Sequence, residues 1–90
     1  MQRIVVIGSN SFSGSNFVHY VLEKGFTVLG ISRSQLPPEP FWPLSWRGTK
    51  HLLDRFEFVQ ADLNNQFSLI KEKINLFKPS LIVNFAALGM

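Results

Sequence analysis

The chain has no cysteine. That excludes disulfides and thiolate metal centres, and it agrees with a cytoplasmic protein. Acidic residues are scarce, six against nine Lys and Arg, for a formal net charge of +3. The basic residues stand singly, so no arm for nucleic acid or for a membrane surface is present. The opening apolar run, Ile4-Val5-Val6-Ile7, is far too short for a signal-peptide core or a membrane span. Tyrosine occurs once, at Tyr20, so tyrosine-dependent proton transfer has a single candidate. Neither internal repeats nor low-complexity tracts occur.

What remains is a globular composition, 46% hydrophobic and 17% charged. Its 90 residues make one small domain. Such a chain buries only about 60–65% of its unfolded surface, so its core is thin.

Ile4–Ile7 is a β-branched run of the kind found in a parallel strand buried on both faces. Gly8 breaks it. From about Ser13 to Lys24 the spacing predicts a helix. Gly14, Phe17, Val18, Val21 and Leu22 share its inner face, with Asn16, His19, Tyr20, Glu23 and Lys24 on the other. Gly25 suits the position just past its end. Thr27–Ile31 reads as a second strand. Residues 36–47 form a loop, because four of the five prolines fall there. A weak helical pattern spans Thr49–Arg55. Phe56–Gln60 is a third strand. Asn64 or Asn65 can cap a helix over Gln66–Phe77 that buries Phe67, Ile70, Ile74 and Phe77, and Lys78-Pro79 stops it. Leu81–Phe85 is a fourth strand. Alternation of this kind implies a parallel α/β sheet with right-handed crossovers.

The segment Gly8-Ser9-Asn10-Ser11-Phe12-Ser13-Gly14 joins the first strand to the first helix. Gly8 lets the chain turn, and Gly14 lets the helix pack closely on the strand. The helix N-terminus then offers free N–H groups to a pyrophosphate. The alternative is an ordinary strand-to-helix turn. At the end of the second strand, where an acidic residue would hold a ribose 2′-hydroxyl, stand Ser32 and Arg33. No carboxylate repels a 2′-phosphate there, and the Arg33 guanidinium can pair with one. This favours NADP over NAD, the alternative being a solvated Arg33. Beyond the fourth strand, small Ala86 and Ala87 leave room for a ribose where open α/β sheets bind ligands.

These landmarks resemble the extended short-chain dehydrogenase/reductase superfamily, in particular its NAD(P)-dependent epimerase/dehydratase family. The family's usual loop is Gly-x-x-Gly-x-x-Gly. Ser11 stands in place of the middle glycine, and its hydroxyl offers a donor to phosphate, while Phe12, Ser13, Gly14 and Ser15 continue the pattern. Asp62 and Leu63 match an Asp-Leu pair whose Asp contacts the adenine amino group. Capping the following turn is the alternative role for Asp62. Asn84, Phe85, Ala86 and Ala87 match the family's fourth-strand motif. Val21–Gly25, Gly30–Ser34 and Lys78-Pro79 look most like enzymes of the GDP-mannose 4,6-dehydratase type. The resemblance implies a partial Rossmann-like fold of about four strands in the order 3-2-1-4.

The family's chemistry uses a Tyr-x-x-x-Lys pair, and this chain contains Tyr20-Val-Leu-Glu-Lys24. That pair lies on the polar face of the first helix, one to two turns past the phosphate loop, so no catalytic role is assigned to it. His19 and His51 show no metal-ligand spacing with carboxylates, and Trp42 and Trp46 suit packing of the Pro-rich loop. The expectation is therefore an N-terminal cofactor-binding portion, truncated and not catalytic alone, of an NADP-dependent nucleotide-sugar enzyme. A nucleotide sugar would be the parent's partner. An apolar fourth-strand edge would need covering, by a homo-oligomer or a partner chain. A non-catalytic nucleotide-binding or regulatory module is the competing reading, and a structural remnant without ligand affinity the third.

Overall fold

The computed structural model describes residues 2–34 and 54–85. The Pro-rich loop, residues 49–53 of the weak helical pattern, Trp42, Trp46, His51, Ala86 and Ala87 lie outside them. The elements are β1 (Arg3–Ile7), α1 (Phe12–Glu23), β2 (Thr27–Ser32), β3 (Phe56–Gln60), α2 (Phe67–Phe77) and β4 (Leu81–Asn84). All pairings are parallel, and the sheet order is β3-β2-β1-β4. This is a Rossmann-like α/β sheet.

Strand side chains alternate between faces. Ile4, Val6 and Val28 pack on one side against Val18, Val21 and Leu22 of α1. Val5, Leu29 and Ile31 pack on the other with Ala61 and with Ile70 of α2. β1 and β2 are thus covered on both faces, which is why both read as unbroken apolar runs. Among the described residues β4 ends the sheet, and its Leu81 and Ile82 are 53% and 48% exposed.

Helix α1 starts at Phe12, one residue before its expected start, because Ser11 caps it. It ends in a Schellman motif: Gly25 N–H donates to Leu22 O and Phe26 N–H to Val21 O, with Gly25 at φ +94°. Arg55 adds a second closure, donating from Nη2 to Leu22 O at 2.7 Å and from Nε to Phe26 O at 3.4 Å.

Two expectations for α2 are corrected. Its N-cap is Gln66, with no side-chain cap bond, and neither Asn64 nor Asn65 holds that place. Asp62 draws both asparagines into a tight turn: its Oδ1 accepts from Asn64 N–H, and its Oδ2 from the Asn65 amide. The Gln66 side chain is itself spent accepting from Asp62 N–H. Phe67 is also not core, being 61% exposed at the first helical position. There α2 has only begun to run back over the sheet, and burial becomes complete one turn later at Ile70.

Candidate functional site

Parallel pairing brings every strand's C-terminal end to one rim. Ile7 is in register with Ile31 and with Asn84, and Ser32 with Gln60. Three backbone bonds close the rim: Gly8 N–H to Ile31 O, Phe85 N–H to Ile7 O, and Ala61 N–H to Ser32 O. The glycine loop, Ser32-Arg33, Asp62-Leu63 and Phe85 therefore stand side by side, although the sequence spreads them from Gly8 to Phe85.

Gly8 turns the chain out of β1 at φ +80°, a region L side chains avoid. Gly14 has a different reason for lacking a side chain. A Cβ there would lie within contact distance of Gly8 O, 2.8 Å from Ser11 Oγ and 3.0 Å from the Gly8 carbonyl carbon. Between them sits Ser11, at φ −68° and ψ 161°, extended backbone open to any residue. Its hydroxyl donates to Gly8 O at 2.8 Å and accepts from Gly14 N–H at 2.9 Å. The Ser11 proton is thus engaged within the loop.

Four amides of the loop and the helix start are engaged. Asn10 N–H goes to Ser32 Oγ, Ser11 N–H to Gly8 O, Gly14 N–H to Ser11 Oγ, and Ser15 N–H to Ser11 O. Phe12 and Ser13, the first two helical residues, keep N–H groups that no carbonyl of the preceding turn receives. The first turn of α1 contains no acidic residue. Two such N–H groups at the positive end of a helix, without a carboxylate in its first turn, suit an anionic oxygen.

The end of β2 is pinned to its neighbours. Ser32 is only 8% exposed, and its Oγ accepts from Asn10 N–H at 3.0 Å. The Gln60 amide donates to Arg33 O at 3.2 Å. The Asn10 amide donates to Ser34 O at 3.0 Å and to Ser34 Oγ at 3.2 Å. Arg33 itself is exposed.

Asp62 is half-buried and forms the turn after β3, with both carboxylate oxygens accepting bonds from the two asparagines. Each oxygen keeps further lone-pair capacity. Leu63 packs beside the α2-side cluster. The half-buried Phe85 ring lies 5.3 Å from that of Phe17, under α1.

Tyr20 and Lys24 lie at the opposite end of α1 from the glycine loop, near the start of β2. The Lys24 ammonium sits 5.3 Å from the centre of the exposed Tyr20 ring, a cation–π contact on the helix surface. His19 pairs with Glu23 at 3.5 Å along the same helix. Among the described residues no cluster of three metal-ligating side chains occurs, and no helix is long and apolar enough to cross a membrane.

Two rim residues escape a reading of the sequence. Asn10 lies between the two glycines of the loop, and Gln60 reads as the last polar residue of a strand. Only the parallel register, which puts Gln60 beside Ser32 and β1's loop beside β2's end, reveals both.

Comparison with known proteins agrees with this architecture. The chain superposes on a dTDP-glucose 4,6-dehydratase of Bacillus anthracis, solved with NAD, with TM-score 0.73 and 27% identity over 97% of this chain and 27% of that one. WbmH of Bordetella bronchiseptica, solved with NAD+, gives 0.71 at 21% identity, over 97% and 26% of the two chains. A UDP-glucose 4-epimerase of Thermotoga maritima, solved with UDP-glucose, gives 0.69 at 19%, over 98% and 25%. The last two likenesses are of fold alone. The chain spans only about a quarter of each of these proteins. No curated protein matches significantly. The family model described as GDP-mannose 4,6 dehydratase matches residues 5–90, from within β1 through the whole rim just described, and the chain belongs to that family.

Proposed function

We propose that the chain is the dinucleotide-binding N-terminal portion of an NADP(H)-dependent nucleotide-sugar dehydratase or epimerase. The observation that carries this reading is the pair of N–H groups on Phe12 and Ser13 that are unengaged among the described residues, set at a helix N-terminus by Gly8, Ser11 and Gly14. The pyrophosphate is assigned to these donors. The adenosine end goes to Ser32 and Arg33 at β2 and to Asp62 and Leu63 after β3. The ribose beside the nicotinamide goes to Phe85, Ala86 and Ala87. Bound there, the oxidised nicotinamide would accept a hydride from the sugar carbon that bears a hydroxyl, as that hydroxyl loses its proton.

The cited neighbours with a dinucleotide hold NAD. The NADP reading rests instead on this chain's own β2 end. The segment Ser32-Arg33-Ser34 at that end carries no carboxylate; Ser32 is buried with its Oγ accepting from Asn10 N–H, and Arg33 is exposed beside it. Catalytic residues and the sugar site are assigned to sequence outside these 90 residues, consistent with the quarter of each neighbour that the chain covers. The exposed Leu81 and Ile82 of β4 would be covered by further strands of the parent or by a second copy. A cytoplasmic location goes with a nucleotide-sugar substrate and a cysteine-free chain.

Titration with NADPH and NADH tests the reading. A charge-assisted hydrogen bond contributes about 1.5–3 kcal/mol, so NADPH should bind about 10- to 100-fold more tightly than NADH. Arg33→Ala should remove that difference and leave NADH affinity unchanged. Tighter NADH binding, or an NADPH affinity indifferent to Arg33→Ala, defeats the NADP assignment. Absence of binding to either defeats the whole proposal.

A further inference from the structure

The segment Ser32-Arg33-Ser34 carries the chain out of β2, and each of its residues is held from a neighbouring loop or strand end. Ser32 Oγ accepts from the Asn10 backbone, Arg33 O accepts from the Gln60 amide, and Ser34 O and Oγ both lie within bonding distance of the Asn10 amide nitrogen. Asn10 belongs to the glycine loop and Gln60 to β3, so the segment is clamped from both sides. These bonds use the backbone of residues 33 and 34 and the side chains of residues 32 and 34. They leave the Arg33 guanidinium as the exposed group between two anchored neighbours.

From this we infer that Asn10 and Gln60 are positioning residues that set Arg33 for a 2′-phosphate and so determine dinucleotide specificity. The inference rests on the NADP reading above. Its physical basis is preorganisation. An arginine on a free loop loses conformational freedom when it binds phosphate, and an anchored backbone has already lost much of it. Asn10 has a second consequence. Through its backbone and its amide it fixes the spacing between the loop assigned to the pyrophosphate and the loop assigned to the 2′-phosphate. The groups assigned to the two phosphate sites are then held at a fixed separation before ligand arrives.

The test measures NADPH and NADH dissociation constants for the full chain carrying Asn10→Ala, Gln60→Ala or Arg33→Ala, with circular dichroism to confirm folding. Gln60 is exposed at the end of β3, so its truncation leaves the core intact even where Asn10→Ala unfolds the loop. Loss of one positioning hydrogen bond should cut the NADPH:NADH preference about threefold to tenfold, mainly by weakening NADPH. A purely structural role for either residue would weaken both ligands alike and leave the ratio unchanged, and that result overturns the inference. If Arg33→Ala abolishes the preference while Asn10→Ala and Gln60→Ala preserve it, the NADP reading stands and the positioning role falls. If Arg33→Ala changes nothing, both fall together.

Discussion

Gly14→Ala separates two physical effects that predict opposite signs. Gly14 lies in the first turn of α1. Helix propensity alone favours alanine over glycine in a helix by about 1 kcal/mol. Propensity therefore predicts a more stable protein. Close packing predicts the reverse. The new Cβ would crowd Gly8 O and stand 2.8 Å from Ser11 Oγ and 3.0 Å from the Gly8 carbonyl carbon. Two of those three atoms are backbone, so no side-chain rotation relieves the contact. Relief requires the helix to move off the turn. That movement stretches the Ser11 bridge, whose two bonds are now 2.8 and 2.9 Å long.

Overpacking costs about 1–3 kcal/mol and a lost N-cap about 1 kcal/mol. Set against the propensity gain, the net loss is about 1–3 kcal/mol. For a domain of this size each kcal/mol moves the midpoint by about 4–8 °C. The assay is a thermal or urea melt of wild type and variant, with NADPH titration of each. The expected result is a lower midpoint and weaker NADPH binding, because the displaced turn carries Phe12 and Ser13. Gly25→Ala is the comparison, since a Cβ there meets nothing within 4 Å and the cost comes only from φ +94°. It should destabilise the chain without a specific effect on NADPH. A raised midpoint for Gly14→Ala would refute the close-packing argument.

Further outcomes follow from single contacts. Ser9→Ala should raise stability by about 1 kcal/mol in a urea melt, because the Ser9 hydroxyl is buried with no hydrogen-bond partner among the described residues. Lys78→Gly should stabilise by about 1 kcal/mol in the same assay, since Lys78 closes α2 at φ +54°. Arg55→Ala should cost about 1–2 kcal/mol by releasing Leu22 O and Phe26 O at the end of α1.

Most of the fold was legible in the sequence because each element carries its own period. The β-branched run in β1 reported burial on both faces, and the α1 stripe of Val18, Val21 and Leu22 reported its contact with β1 and β2. What was not legible depends on neighbours distant in sequence. Phe67 fits the helical stripe by spacing, but burial also needs sheet beneath it. Asn64 and Asn65 have capping side chains, but Asp62 competes for the same stretch of backbone. Gly30 reads as a weak strand residue until β1's loop is laid beside it. A Cβ at Gly30 would stand 2.6 Å from Ser9 Oγ and 2.9 Å from Phe56 Cε1. Its smallness thus serves the packing of Ser9, in the glycine loop, against β2.

The absent middle glycine follows the same logic. In a Gly-x-x-Gly-x-x-Gly loop, glycine can be required for positive φ, for lack of room, or for close approach of a ligand. At Gly8 the first reason applies, and at Gly14 the second. At position 11 neither does, because φ −68° suits any residue and the Ser11 side chain has space to bridge Gly8 and Gly14. Only ligand approach remains as a reason for glycine there, and the Ser11 hydroxyl is turned toward the Gly8 carbonyl and the Gly14 amide. The substitution therefore exchanges backbone freedom for a cap. It removes Gly14 N–H from the donors open to a phosphate and leaves those of Phe12 and Ser13. Ser11→Gly discriminates this account from one in which the serine hydroxyl serves the phosphate directly. Glycine is itself a tolerated cap, so stability should fall by only a few tenths of a kcal/mol. NADPH affinity should hold, since the Phe12 and Ser13 donors are untouched and Gly14 N–H is released. A fall of tenfold or more in NADPH affinity, with the melting midpoint preserved, would show that the hydroxyl donates to phosphate and that the intraloop bridge opens when ligand binds.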